Sequence, residues 1–544
     1  MRKDMAQEMT PMLPSTVISS RDETLRRRQK RLLVVAVLLA TPLLLLAIIF
    51  SSMSVASTPA SLLTEVRQPP ISLDLVQGKV MNNCVENFFK QTLDHFDFGA
   101  LSYRQRYFVC DNFYRPGGVM FFYVGNEANV ELYLNHTGLM WENAKEFGAM
   151  LVFAEHRYFG QSVPFGKDVT KHLKYLSTEQ VLADYAILIT YLKDVWKRDI
   201  PVIGFGGSYG GMLGSWFRMK YPHIVDGVIA GSAPILSFLG DEIPPDKESF
   251  ERIVTRDATE TAGSAPNCAA NIRRSWSIIK DLFETNPGRV QLKNTLSLCE
   301  SVRLESSNDL DKLMEWAKSA FDYMAMGNYP YPSSYIMNGD SVLPAYPVRV
   351  ACSFVADNFA AEDKIGLLSA FSKSLSVYYN STKDHECYQL SASSNESDQD
   401  STLWDYLFCS ELYQPQSVDG VNDMFWPVPW NFTADNDRCK SKWGVEIRPF
   451  WATTQYGGRK ALRAASNIVF SNGDYDPWSG TGVLHNYSDS VIALSVEGGA
   501  HHLDLMFSNT LDPPSVLAVR QIEKQHMLKW TREFYQRKAS VTNE

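Results

Sequence analysis

None of the eight cysteines forms a CxxC pair, so zinc-ribbon and thioredoxin-like chemistry find no support. Positive charge is not in surplus. Lys and Arg number 52 against 61 Asp and Glu, a net charge of −9, and no basic surface for nucleic acid is implied. Nucleotide-phosphate and metal-ligand motifs are absent, so neither cofactor nor metal is expected. There is no internal repeat, which excludes a repeat array. Long apolar runs are missing as well, with one exception, Leu32 to Phe50.

That run has 19 residues and spans about 28 Å as a helix, close to the roughly 30 Å hydrocarbon core of a bilayer. Arg21, Arg26, Arg27, Arg28, Lys30 and Arg31 precede it and little positive charge follows. The asymmetry predicts a signal anchor with a cytosolic N-terminus, making the chain a single-pass type II membrane protein with its bulk luminal or extracellular. The alternative is a cleaved leader, cut near Val55-Ala56-Ser57, and a secreted or lysosomal product. All eight cysteines lie beyond the run: Cys84, Cys110, Cys268, Cys299, Cys352, Cys387, Cys409 and Cys439. So do five glycosylation sequons, at Asn135, Asn380, Asn395, Asn431 and Asn486. Together they favour an oxidising lumen. Cys84 and Cys110 flank an expected hairpin and are placed to pair; the rest of the connectivity is open.

The predicted organisation is a basic tail (1–31), a transmembrane anchor (32–50), a stalk (51–84), a first part of an α/β domain (85–235), a helical cap insertion (236–445) and a second part of the α/β domain (446–544). Thr92 to Phe98 and Tyr103 to Val109 read as paired strands. Val119 to Val124, Ala149 to Ala154, Pro201 to Phe205 and Val225 to Ala230 read as buried strands alternating with helices, the pattern of a parallel sheet covered on both faces. Ser177-x-x-Gln180 reads as a capping box opening one of those helices. Ser391 to Ser401 reads as a polar loop. Strand character resumes at Asn467 to Ser471 and Val491 to Val496, and a last helix is expected from about Ser515 to Phe534.

Chemistry centres on Gly206-Gly207-Ser208-Tyr209-Gly210. A buried strand runs into this turn and a helix follows, which is the order a nucleophile elbow requires. A serine hydroxyl is a weak nucleophile near neutral pH and needs a base, itself oriented by an acid. In an α/β-hydrolase the partners follow in the order acid, then histidine, each on a loop after a late strand. The first such loop holds Asp474 and Asp476, the second His501 and His502. The backbone N–H of Tyr209 and one from Gly125-Asn126-Glu127 are expected to form the oxyanion hole. Glu127 is also a candidate for binding substrate, and so are Tyr329, Tyr331 and Trp478, because aromatic side chains commonly line ligand pockets. His95, His136 and His156 read as structural.

With these motifs assembled, the chain resembles the prolyl-specific serine exopeptidases, the family of lysosomal Pro-X carboxypeptidase, dipeptidyl peptidase II and thymus-specific serine protease. The resemblance rests on Gly206 to Leu213, Trp216 to Pro222, Leu93 to Phe96, Gly125 to Glu127, Ala154 to Tyr158, Asn472-Gly473-x-x-Asp476-Pro477-Trp478 and Gly499 to Leu505. It covers about residues 85–535. It implies Ser208 as nucleophile, Asp476 rather than Asp474 as acid, and His501 rather than His502 as base. It implies an α/β-hydrolase fold with a helical cap between serine and acid, and cleavage after proline near a peptide terminus. Ala128 and Met506 stand where the family usually has Gly and Arg. The expected partners are peptides with proline next to the scissile bond, the membrane through one N-terminal helix and a second copy of the chain in a homodimer, with no nucleic acid. The competing readings are an esterase or lipase on the same fold and a non-catalytic hydrolase-like surface receptor.

Overall fold

The computed structural model describes residues 84–99, 101–390 and 396–541. Among these residues no helix is long and apolar enough to cross a membrane. The tail, anchor and stalk expected before residue 84, and the sequon at Asn395, lie outside them.

Eight strands form one sheet: β1 (Val85–Thr92), β2 (Ser102–Cys110), β3 (Met120–Val124), β4 (Met150–Ala154), β5 (Val202–Gly207), β6 (Gly227–Gly231), β7 (Ile468–Gly473) and β8 (Val491–Val496). Their order across the sheet is β1-β2-β4-β3-β5-β6-β7-β8. β1 and β2 run antiparallel to each other, and β2 antiparallel to β4. The remaining pairings are parallel. Strands β3 to β6 are buried at every position, as expected of a sheet covered on both faces. The first strand corrects the sequence reading. It lies at 85–92, and residues 93–99 form the turn into β2.

Helix Thr178–Trp196 shows what holds that turn. Ser177 caps the helix by accepting from the Gln180 N–H. The capping box does not close, because the Gln180 side chain is used elsewhere. It accepts from the His95 N–H at 2.9 Å and donates to Asp94 Oδ1 at 2.6 Å. One turn along, buried Asp184 receives both arms of Arg157, at 2.6 and 2.7 Å, and the hydroxyl of Tyr103 at 2.7 Å. His95 Nε2 meets its other oxygen at 2.7 Å. Burial opposes charge on Asp184, but Arg157 more than offsets it and holds the carboxyl below its usual range. His95 and Arg157 thus act as struts that tie the β1–β2 turn to the sheet.

Between β6 and β7 the chain leaves the sheet for more than 200 residues, which include helices Ser249–Asp257, Cys268–Phe283, Ser307–Met326, Pro347–Phe354 and Lys364–Tyr379. These build an apolar core of their own around Trp276, Phe321, Leu368 and Phe371. The loop expected to reach Ser401 ends sooner, since helix Glu396–Ser410 begins at residue 396. Its Leu403 and Leu407 pack into the core under the sheet. All eight cysteines are paired, as Cys84–Cys110, Cys268–Cys352, Cys299–Cys387 and Cys409–Cys439.

The last helix, Pro514–Val541, is longer than predicted and covers the sheet with Trp530. Gly227 on β6 lies beneath that indole; a Cβ there would stand 2.2 Å from the ring. A buried indole cannot step aside as a flexible chain end does. Gly227→Ala is therefore expected to cost about 1–3 kcal/mol, read as a thermal midpoint several degrees lower with the far-UV spectrum retained.

Candidate active site

β5 ends in Gly207 and helix Tyr209–Lys220 starts one residue later, so Ser208 makes the whole turn. Its backbone sits at φ 57°, ψ −126°, far from the ordinary basins of an L-residue. The Ser208 N–H donates to Gly231 O at 2.9 Å, and its carbonyl accepts from the Met212 N–H at 3.0 Å. The side chain is partly exposed and Oγ makes no hydrogen bond among the described residues. Room for this turn depends on glycine. A Cβ on Gly206 would fall 2.2 Å from the carbonyl oxygen of Gly210.

The loops after β7 and β8 bring two more groups together. Asp476 is completely buried, and its Oδ1 lies 2.9 Å from His501 Nδ1. The same oxygen accepts from the Trp478 N–H at 3.1 Å, which fixes the carboxyl at the start of a 3-10 turn. Asp474 is spent differently, with Oδ1 accepting from the Gly498 N–H at 2.6 Å. It stitches the two loops together. His502 is buried, its N–H on Ser232 Oγ at 2.7 Å and both ring nitrogens without a partner among the described residues. Burial, helped by His501, holds its pKa well below the usual value and keeps the ring neutral. It packs against the elbow: a Cβ on Gly207 would lie 2.6 Å from His502 Cδ2. The His501 backbone is fastened at both groups, its N–H to Met326 O at 3.1 Å and its carbonyl to Tyr329 Oη at 3.0 Å.

The loop after β3 approaches the elbow from the other side. A Cβ on Gly210 would stand 3.0 Å from Asn126 Oδ1, and one on Gly125 would stand 2.1 Å from Ala154 O. Asn126 is buried. It accepts from Tyr123 Oη at 3.2 Å and donates to Glu127 Oε2 at 2.8 Å. Glu127 is partly buried, and burial raises its pKa against the pull of Asn126 and His501. The Tyr209 N–H opens a helix and has no intrahelical acceptor.

Several neighbours complete the site, and of these Trp404, Phe250 and Asp257 were not picked out in the sequence. Trp404 meets the Tyr209 ring edge-on at 5.1 Å. His156 Nε2 reaches the Tyr209 hydroxyl at 3.1 Å, and burial depresses its pKa to about 4. Met326 Sδ accepts from Trp478 Nε1 at 3.2 Å, and Phe250 meets the Trp478 ring at 4.9 Å. Asp257 is buried beside Asp474 and Asp476 and held by Asn328, its pKa pushed well up chiefly by burial. Trp404, Phe250 and Asp257 belong to no local motif, and no spacing rule would have found them. Tyr331, by contrast, is buried against Tyr329 with its hydroxyl unpartnered.

Among the sequons, Asn135 lies on helix Val130–His136 with its Oδ1 enclosed. Asn380 and Asn431 sit at helix ends, and Asn431 and Asn486 are exposed. No cluster of His, Cys, Asp and Glu suited to a metal ion occurs among the described residues.

The strand order, with a serine after β5, an acid after β7 and a histidine after β8, is that of the α/β-hydrolase fold. The family model of serine carboxypeptidase S28 matches residues 91–523. The chain belongs to the serine carboxypeptidase S28 family. It is a serine-type exopeptidase. Its similarity to lysosomal Pro-X carboxypeptidase of Homo sapiens is 43% identity over 456 residues, covering 82% of this chain and 88% of the relative. The same enzyme of Pongo abelii is 44% identical over the same shares. Prolyl carboxy peptidase like protein 5 of Caenorhabditis elegans is 35% identical over 89% of this chain and 98% of its own.

Proposed function

We propose that the chain removes the C-terminal residue from peptides whose penultimate residue is proline, through Ser208, His501 and Asp476. The observation that carries this reading is the Asp476–His501 contact at 2.9 Å, brought up to the elbow on which Ser208 stands at φ 57°. Ser208 Oγ attacks the proline carbonyl while His501 Nε2 takes its proton. Asp476 holds the opposite nitrogen as N–H donor and stabilises the imidazolium. The oxyanion receives the N–H groups of Tyr209 and Asn126. His501 then protonates the leaving amine, and water releases the acyl-enzyme by the same steps in reverse.

Trp478 and Met326 supply an apolar wall for the proline ring. Tyr329 and Tyr331, both buried, support this wall from behind. The choice of the carboxyl terminus is supported by the names of the mammalian relatives. Four disulfides and those names support a lysosomal or secretory setting, and the apolar run at 32–50 supports an anchor there.

Two peptides test the reading, each incubated with the ectodomain (residues 60–544) from about pH 4 to about pH 8. One is N-blocked and ends in Pro-Phe; the other is a free-amine X-Pro-reporter. Cleavage of the first alone is expected. Cleavage of the second alone would make the chain a dipeptidyl peptidase. Cleavage of neither, with acyl esters hydrolysed instead, would replace the reading with an esterase.

A further inference from the structure

Behind His501 lie two carboxyl groups that the reaction does not use. Asp504 stands in the 3-10 turn Leu503–Leu505, directly after His501 and His502, and Glu523 stands on helix Pro514–Val541. Both are 0% exposed. Ser471 Oγ, from β7, donates to Asp504 Oδ2 at 2.7 Å. The other Asp504 oxygen and both Glu523 oxygens have no donor among the described residues. Arg520 Nε donates to the Asp504 carbonyl at 2.8 Å, and Glu523 follows Arg520 by one turn on the same helix face, which sets the two carboxyls side by side.

No surrounding charge resolves this. Arg520 is the neighbouring cation, but its donors go to the carbonyls of Leu503, Asp504 and Met506, to Ser508 Oγ and to Asp512 Oδ2. Lys524 points to Glu146, and Glu142 is taken by Ser508. Tyr329 gives its hydroxyl to His501, and His502 is neutral. Two buried acceptors side by side, with no side-chain or backbone donor between them among the described residues, are satisfied by a proton of their own.

We infer that Asp504 and Glu523 share one proton, and that this carboxyl–carboxylate hydrogen bond clamps the loop bearing His501 onto the C-terminal helix. The pair are positioning residues, and the clamp holds only while the proton is present. Burial pushes the Glu523 carboxyl well above its usual range, and the Asp504 charge adds to this. A folded-state pKa raised in this way means that the native chain binds more protons than the unfolded one. The stabilisation is complete below the unfolded glutamate value and is lost as pH rises through the folded value. The loss amounts to as much as about tenfold in the folding equilibrium per pH unit.

The full chain is compared with Glu523→Gln and Asp504→Asn, each of which supplies a permanent amide donor in place of the proton. Thermal midpoint, inactivation half-life and rate of fluorophosphonate labelling are followed from about pH 4.5 to about pH 8. The wild type is expected to lose stability toward alkaline pH more steeply than either variant. The difference in half-life ratio should reach at least about tenfold between the two ends. Labelling near the acid end should stay within about threefold of wild type. Parallel curves, displaced but equally steep, would show only a packing role and overturn the inference. Should one variant not fold, the other decides by the same slope. Because the slope is read without any proline peptide, it stands or falls separately from the substrate assignment.

Discussion

Ser208→Ala is expected to lower kcat on the Pro-Phe peptide by about 10⁵- to 10⁶-fold and to abolish labelling by a fluorophosphonate, without a change in fold or thermal midpoint. The size follows from the lack of any other nucleophile on the elbow. The absence of a stability effect follows from the backbone. A Cβ already occupies this φ 57° position, so alanine brings no new clash and removes only Oγ. That oxygen makes no hydrogen bond among the described residues, so its removal leaves no buried partner unsatisfied. Residual turnover would come from the oxyanion donors and binding alone. If the variant retained more than about a hundredth of the wild-type rate on a freshly purified sample, another group would have to be the nucleophile.

The three loops of the candidate site are legible in the sequence because their patterns are local. A buried strand, a glycine-flanked turn and one polar residue specify each of the three loops within about ten residues. The misread segments are those where distant residues decide. Thr92 to Phe98 alternates like a strand, yet Gln180 and Asp184, on a helix more than 80 residues away, turn it into a held corner and leave β1 to residues 85–92. Gln180 has the spacing of a capping box, but the missing acceptor of His95 and donor to Asp94 claim its side chain. Helix Glu396–Ser410 begins with a polar stretch that reads as loop. Only its second half, with Leu403 and Leu407 against the sheet and Trp404 over Tyr209, has a reason to be helical, and that reason is tertiary packing. Asp504 and Glu523 are two ordinary acidic residues in sequence, 19 positions apart. Their shared burial follows from the final helix folding back over β7 and the histidine loop.

Asp476→Asn is expected to lower kcat by about 10⁴-fold with Ser208 and His501 still in place. In the native site Oδ1 has two donors, His501 Nδ1 at 2.9 Å and the Trp478 N–H at 3.1 Å, while Oδ2 is buried with none. An asparagine must choose. With its oxygen toward both donors, geometry survives but the negative charge that stabilises the imidazolium is gone, and the amide nitrogen fills a buried position offering no acceptor. With its nitrogen toward them, the Trp478 N–H loses its acceptor and His501 must turn its lone pair to Nδ1, which leaves Nε2 protonated and unable to take the serine proton. Either arrangement acts on the chemical step, so KM should change by less than about tenfold while kcat collapses. Asp474→Asn provides the contrast. That residue accepts one loop N–H, from Gly498, and stands apart from the histidine, so the substitution should cost stability and leave kcat within about tenfold. Steady-state kinetics of the two variants beside their thermal midpoints decide the assignment. A collapse of kcat in Asp474→Asn with a nearly normal Asp476→Asn would move the acid to residue 474 and require a different orientation of His501.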